Sequence, residues 1–176
     1  MAEFFDALVI PEEPPALAES DRERLNVLAG LGAKCRSPVM RDRFKGDVIE
    51  RVPAPEGPAR LLGQLGQLAA GMRVIGVPEP EVWRLLAEVA LDGMHPLRRK
   101  VLEVLIASDR EISTGMVAAR CSLPVTSVRR HLEALNAHGV LEKAHHEPEV
   151  WAVSEWTRGQ WRAVSCESIL FDLREE

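Results

Sequence analysis

The sequence predicts a mostly α-helical protein with a small β-hairpin near its C-terminal end. Three observations carry this expectation. Apolar residues recur at spacings of three and four over 61–75 and again over 82–89. Three helical stretches follow one another between residues 96 and 139, interrupted by a short strand-like piece and the turn SLP. From Val140 onward, VLEKAHH and EVWAVSEW alternate as two strands with HEPE at the tip between them.

Composition bounds the function. The 176 residues are 46% hydrophobic, enough for a core and too many for a disordered chain. That length suits one ordinary domain or two small ones. The net charge of −5 does not mark a general polyanion binder, yet the charge is uneven. Residues 96–131 hold seven cations (Arg98, Arg99, Lys100, Arg110, Arg120, Arg129, Arg130) against Glu103, Asp109 and Glu111, which is +4 and leaves −9 elsewhere. Cys35, Cys121 and Cys166 are isolated, which argues against a disulfide framework or a zinc ribbon and fits reduced thiols in the cytoplasm. The N-terminal MAEFFDALVIPEEPP lacks the basic and long apolar regions of a signal peptide, and no apolar run reaches the length of a membrane span.

Residues 1–20 are rich in Pro, Glu and Ala and read as an arm or partner-docking segment. A short helix over 21–34 would carry Leu25, Val27, Leu28 and Leu31; VIERV is strand-like, and PAPEGP is a loop. A helix from Pro58 to Gly76 would bury Leu61, Leu65, Leu68, Met72 and Ile75. Its Gly63, Gly66 and Gly71 each cost about 1 kcal/mol relative to Ala, so they are expected where another helix approaches closely. The next helix, PEPEVWRLLAEVALDG, has Pro80 in its first turn and a face of Val82, Leu85, Leu86 and Val89.

The following helices are PLRRKVLEVLIAS, with Leu97, Val101, Leu102, Leu105 and Ile106 inward, and STGMVAARC, capped by Ser113 or Thr114, with Met116, Val117 and Ala119 available to the core. A third helix over Val125–Ala137 would bury Val128, Leu132 and Leu135 and stop at Gly139. This order, ending in Leu132, Leu135, Gly139, Val140 and Leu141, resembles the winged helix-turn-helix fold of bacterial and archaeal DNA-binding proteins over about a third of the chain. The expected divisions are an arm and short-helix segment (1–57), a helical hairpin (58–93), the winged helix-turn-helix (94–164) and an acidic tail (165–176).

With its apolar face buried, the third helix turns Thr126, Ser127, Arg129, Arg130 and Glu133 outward. Hydroxyls can bond phosphates or base edges, and Arg can pair with guanine bidentately. Arg98, Arg99 and Lys100 are expected on phosphates, setting register without reading sequence. Lys143, His145 and His146 fall on the wing, where Glu147 and Glu149 weaken the case for minor-groove contact.

A second resemblance covers residues 37–157. Pro55, Glu56, Gly57, Pro58, Arg60 and Leu61, with Ala90, Leu91, Asp92, Pro96, Arg98 and Arg99, are similar to the helical lid and winged-helix junction of prokaryotic and phage AAA-type ATPases linked to DNA transactions. The resemblance implies that Arg60 matches a lid arginine that senses nucleotide phosphate. No GxxxxGK[ST] occurs, so this chain is not expected to hydrolyse ATP alone. It is expected to be a C-terminal piece of a larger ATPase or a stand-alone relative, and in the latter Arg60 is structural.

Other chemistries find less support. His131, His138, His145, His146 and Cys121 lack the local repeated spacing of a zinc site, so neither a metal nor a cofactor is expected. Cys121 reads as a small buried hydrophobe more than a redox sensor. No GxSxG turn is present for a hydrolase. Trp151, Trp156 and Trp161 read as anchors of the hairpin and of a helix, WTRGQWRAV, more than as a stacking platform for single strands. The expected function is double-stranded DNA binding, as a transcriptional regulator or the DNA-reading part of a replication or mobile-element protein. A homodimer is expected because one small module rarely reaches specific affinity alone. The competing reading is an adaptor whose winged helix docks on a partner ATPase or polymerase.

Overall fold

A computed structural model describes residues 9, 11–13, 16–108, 110–144 and 149–164. The described elements, in chain order, are α1 (Glu19–Arg36), β1 (Met40–Arg41), β2 (Ile49–Arg51), α2 (Ala59–Val74), α3 (Glu79–Asp92), α4 (Pro96–Ile106), β3 (Ile112–Ser113), α5 (Thr114–Cys121), α6 (Val125–Ala137), β4 (Leu141–Ala144), β5 (Val150–Val153) and α7 (Glu155–Val164). The protein is mostly helical, with two small antiparallel sheets: β1–β2, and a three-stranded sheet in the order β3–β5–β4.

Two apolar cores account for the arrangement. One gathers Val101, Leu102 and Leu105 of α4, Val117 and Cys121 of α5, Val128, Leu132 and Leu135 of α6, and Trp151 of β5. The other joins Leu61 and Leu65 of α2 to Val82, Trp83 and Leu86 of α3. Helix α1 enters both: Leu25, Leu28 and Ala29 lie in the second core, Leu31 and Cys35 in the first. The guanidinium of Arg24 lies over the Trp83 ring, 3.7 Å from its centroid.

The apolar stripes of α2 and α3 are narrower than their periodicity predicts. Leu68, Ile75 and Val89 remain exposed at 36%, 47% and 41%. Trp83, Ala87 and Ala90 fill the positions that Val89 was expected to share, because α1 covers that side of α3. Helical close approach also falls elsewhere than expected. No neighbour stands within 4 Å of where a side chain would begin at Gly63 or Gly71, and Gly66 meets only Leu17. The close contact is at Gly32 in α1, where a Cβ would lie 2.5 Å from the Ala90 carbonyl oxygen. Gly76 closes α2 at φ 78°, a conformation that favours glycine.

In the winged helix-turn-helix, α6 spans the expected residues and buries Val128, Leu132 and Leu135 completely. Ser113 caps α5 by accepting from the Met116 N–H at 3.3 Å. The inward residues of α5 are Val117, Ala118 and Cys121; Met116 is 50% exposed and Ala119 is exposed, a rotation of the expected face. Ser122 bends the turn into α6 with φ 53°, and the Leu123 N–H closes it on the Ala118 carbonyl. Trp151 pairs opposite Ile112 and Lys143, and its Nε1 donates to Thr114 Oγ1 at 2.8 Å, tying the sheet to α5. Helix α7 returns to the start of the hairpin, with Ser154 Oγ donating to the Gly139 carbonyl and Thr157 Oγ1 to that of Val140.

Candidate nucleic-acid interface

Helix α6 opens without a side-chain cap, since Pro124 occupies the N-cap in an extended conformation. Its first-turn N–H groups therefore face outward as an electropositive end. Around them, Thr126, Arg129 and Arg130 are exposed and Ser127 is half-buried. Arg129 makes no hydrogen bond or ion pair among the described residues, and its charge helps to hold the Glu149 carboxyl below its usual range, after the larger effect of the Lys143 hydrogen bond. Arg130 lies 3.3 Å from Asp47, in a pair that is exposed on both sides. Glu133, placed outward with the arginines by periodicity, accepts from Arg41 at 3.0 Å.

The basic start of α4 is arranged differently from the three-residue phosphate clamp that its sequence suggests. The Arg98 Nη1 donates to the carbonyls of Cys35 and Ser37 at 3.0 and 2.7 Å, so its charge neutralises the C-terminal end of α1. Arg99 is held by Glu103 at 2.8 Å and by Asp92. Lys100 is exposed. On the hairpin, Lys143 donates to Glu149 at 2.6 Å and lies near the Trp151 ring. His145 and His146 lie outside the described residues. Of the cations expected at the interface, Arg129, Arg130 and Lys100 are thus the ones left exposed among the described residues. The inward turn of Arg98 had no sequence signal, because the carbonyls that hold it are more than 60 residues away in the chain.

His131 and His138 are used for packing. His138 is buried and bonds the Pro38 carbonyl at 3.1 Å. His131 stacks on His95, with ring centroids 5.3 Å apart. Burial, then the charges of Arg98, His95 and Arg41, pull its pKa from 6.5 down to about 4. Between these values the unfolded chain binds the proton and the folded one does not. The contribution is therefore full above pH 6.5 and is lost as pH falls toward 4. His131→Gln should flatten the fall of melting temperature over that window relative to wild type; parallel curves for the two proteins would contradict it. Cys121 is buried, with its thiol pushed up by desolvation, as suits a core residue. Among the described residues no cluster of His, Cys, Asp or Glu could hold a metal.

The order helix, strand, helix, turn, helix, hairpin defines a winged helix-turn-helix. A family model described as a helix-turn-helix domain matches residues 94–144, from the start of α4 to the end of β4. Neither a curated protein nor a solved structure matches the chain. No described helix is long and apolar enough to cross a membrane.

Sequence reasoning missed one part of this surface. Hairpin β1–β2, read only as a strand-like piece, sits against α6 through Arg41. Its available signal was the turn pair Gly46-Asp47 between the apolar pairs Val39-Met40 and Val48-Ile49.

Proposed function

We propose that the chain binds double-stranded DNA, with α6 in the major groove. The observation that carries this reading is the exposed first half of α6. Thr126, Arg129 and Arg130 surround an uncapped helix start, while the opposite face is fixed in the core by three fully buried residues. Such a helix presents donors rigidly to base edges and phosphates. Ser127 and Lys100 add flanking phosphate contacts, and Lys143 adds one where Glu149 releases it. Arg98 and Arg99 serve as positioning residues: Arg98 sets α4 on α1, and Arg99 sets it on the end of α3. The role is that of a transcriptional regulator or of the DNA-reading part of a replication or mobile-element protein, acting as a homodimer.

The test is fluorescence anisotropy of the protein on duplex DNA from about 50 to 200 mM salt. Affinity should fall steeply across that range, as phosphate contacts are screened. Saturation should show two chains per site. No binding at the lowest salt would remove the reading.

A second reading is favoured by the carboxylates that neutralise Arg99 and Lys143, and by the net charge of −5. In it the winged helix docks on a partner ATPase or polymerase. Arg60, exposed in the first turn of α2, would then be the lid-like residue offered to the partner's nucleotide. Absence of DNA binding, together with partner binding that persists at high salt, would select it.

A further inference from the structure

The fold contains a hairpin that lies outside the winged helix. Strands β1 and β2 pair through Met40↔Arg51 and Arg41↔Ile49 and precede the whole helix-turn-helix, yet their loop is seated on α6. Arg41 makes the attachment: its guanidinium donates to Glu133 Oε2 at 3.0 Å, to the Arg130 carbonyl at 3.0 Å and to the Asp47 carbonyl at 3.2 Å. Only 17% of the Arg41 side chain and 27% of the Glu133 side chain are exposed, so this pair is better shielded than an ordinary surface bridge. The chain leading into β1 is also fixed, at Ser37 by Arg98 and at Pro38 by His138.

The loop between the strands is closed on itself. Asp42 Oδ1 accepts from the N–H groups of Phe44 and Lys45, both at 2.7 Å. The Asp42 N–H reaches the Val48 carbonyl, and the Val48 N–H that of Lys45. These bonds hold Arg43, Phe44 and Lys45 at the tip, all three exposed. Phe44 is 97% exposed, so folding gains nothing from its ring. The tip adjoins the outward face of α6: a Cβ at Gly46 would stand 3.4 Å from Arg130 Nη2, and Asp47 is 3.3 Å from the same atom. An aromatic ring between two cations, held beside α6, has the chemistry of the apolar wedges and flanking cations that minor-groove proteins set against base steps.

We infer that hairpin β1–β2 is a second DNA-contacting element beside the wing. Arg43 and Lys45 bind the phosphates bordering the groove that α6 enters, and Phe44 lies against the sugar–base surface between them. The inference rests on the DNA-binding reading of α6 and extends its footprint to one side. Met40 and Val48, about half exposed, continue the apolar edge of the hairpin. Duplex DNA fits this edge better than a protein partner does, because the cations flank the ring and the surface is continuous with α6.

Two variants, Arg43→Gln/Lys45→Gln and Phe44→Ala, should be titrated on duplex DNA beside wild type and beside Arg129→Ala/Arg130→Ala. The charge variant should lower the slope of log affinity against log salt by about 2, since each phosphate contact contributes about 0.9. Phe44→Ala should weaken binding several-fold with the slope unchanged. Wild-type affinity in both hairpin variants, with binding lost in the α6 variant, would overturn the hairpin and leave the α6 reading intact. Tighter binding in the hairpin variants would make the hairpin a cover over α6 and also overturn it. No binding by wild type would overturn both. All substituted side chains are exposed, so an unchanged melting temperature verifies the fold.

Discussion

Alanine at both Arg129 and Arg130 should weaken duplex binding by at least about 30-fold without loosening the fold. Removing an arginine that pairs with a base costs about 1–3 kcal/mol, so two removals cost at least about 2 kcal/mol. The larger share should belong to Arg129. Arg130 is 3.3 Å from Asp47 and supports the hairpin through its carbonyl, whereas Arg129 has no such bond among the described residues. Single variants measured by anisotropy would rank the two. Both side chains are exposed, so the denaturation midpoint should not move. A midpoint lowered in step with affinity would assign the residues to folding instead of recognition.

Trp151→Ala should be the most damaging single change in the winged helix, at about 3–5 kcal/mol. Its indole is fully buried, faces α5 from the central strand of the sheet, and donates to the buried Thr114 hydroxyl. Trp151→Phe separates the two contributions. It keeps most of the apolar volume but leaves Thr114 without its donor, a penalty of about 1–3 kcal/mol. Urea unfolding of both variants measures the difference. A loss below about 1 kcal/mol for Trp151→Ala would show that the sheet is held by its backbone bonds alone.

The winged helix was largely legible because its signals are local. The spacing of Val128, Leu132 and Leu135, with Gly139 at φ 70°, marks α6 from residues close together in the chain. Exposed and inward cations look alike in sequence. Arg98, Arg99 and Lys100 are consecutive, yet carbonyls of α1 take the first, carboxylates the second, and solvent the third. The partners of Arg98 come from a distant segment, which periodicity does not report. The same limit explains Leu68 and Val89, whose helical spacing was right but whose covering element does not extend over them. It also explains Gly32, whose need for a bare backbone arises only from the Ala90 carbonyl of another helix. Hairpin β1–β2 escaped because its strands are two and three residues long and are held by Arg41 more than by apolar alternation.

Helix α1 gives side chains to both cores, and Arg98 of α4 closes its C-terminal end. Fraying α1 therefore uncovers Leu25 and Leu28 on one side and Leu31 and Cys35 on the other in a single event. The two cores should therefore open together, with the amides of α3 and α6 exchanging as one cooperative unit. A molecule that grips α1 along its length should thereby act on α6 without touching it.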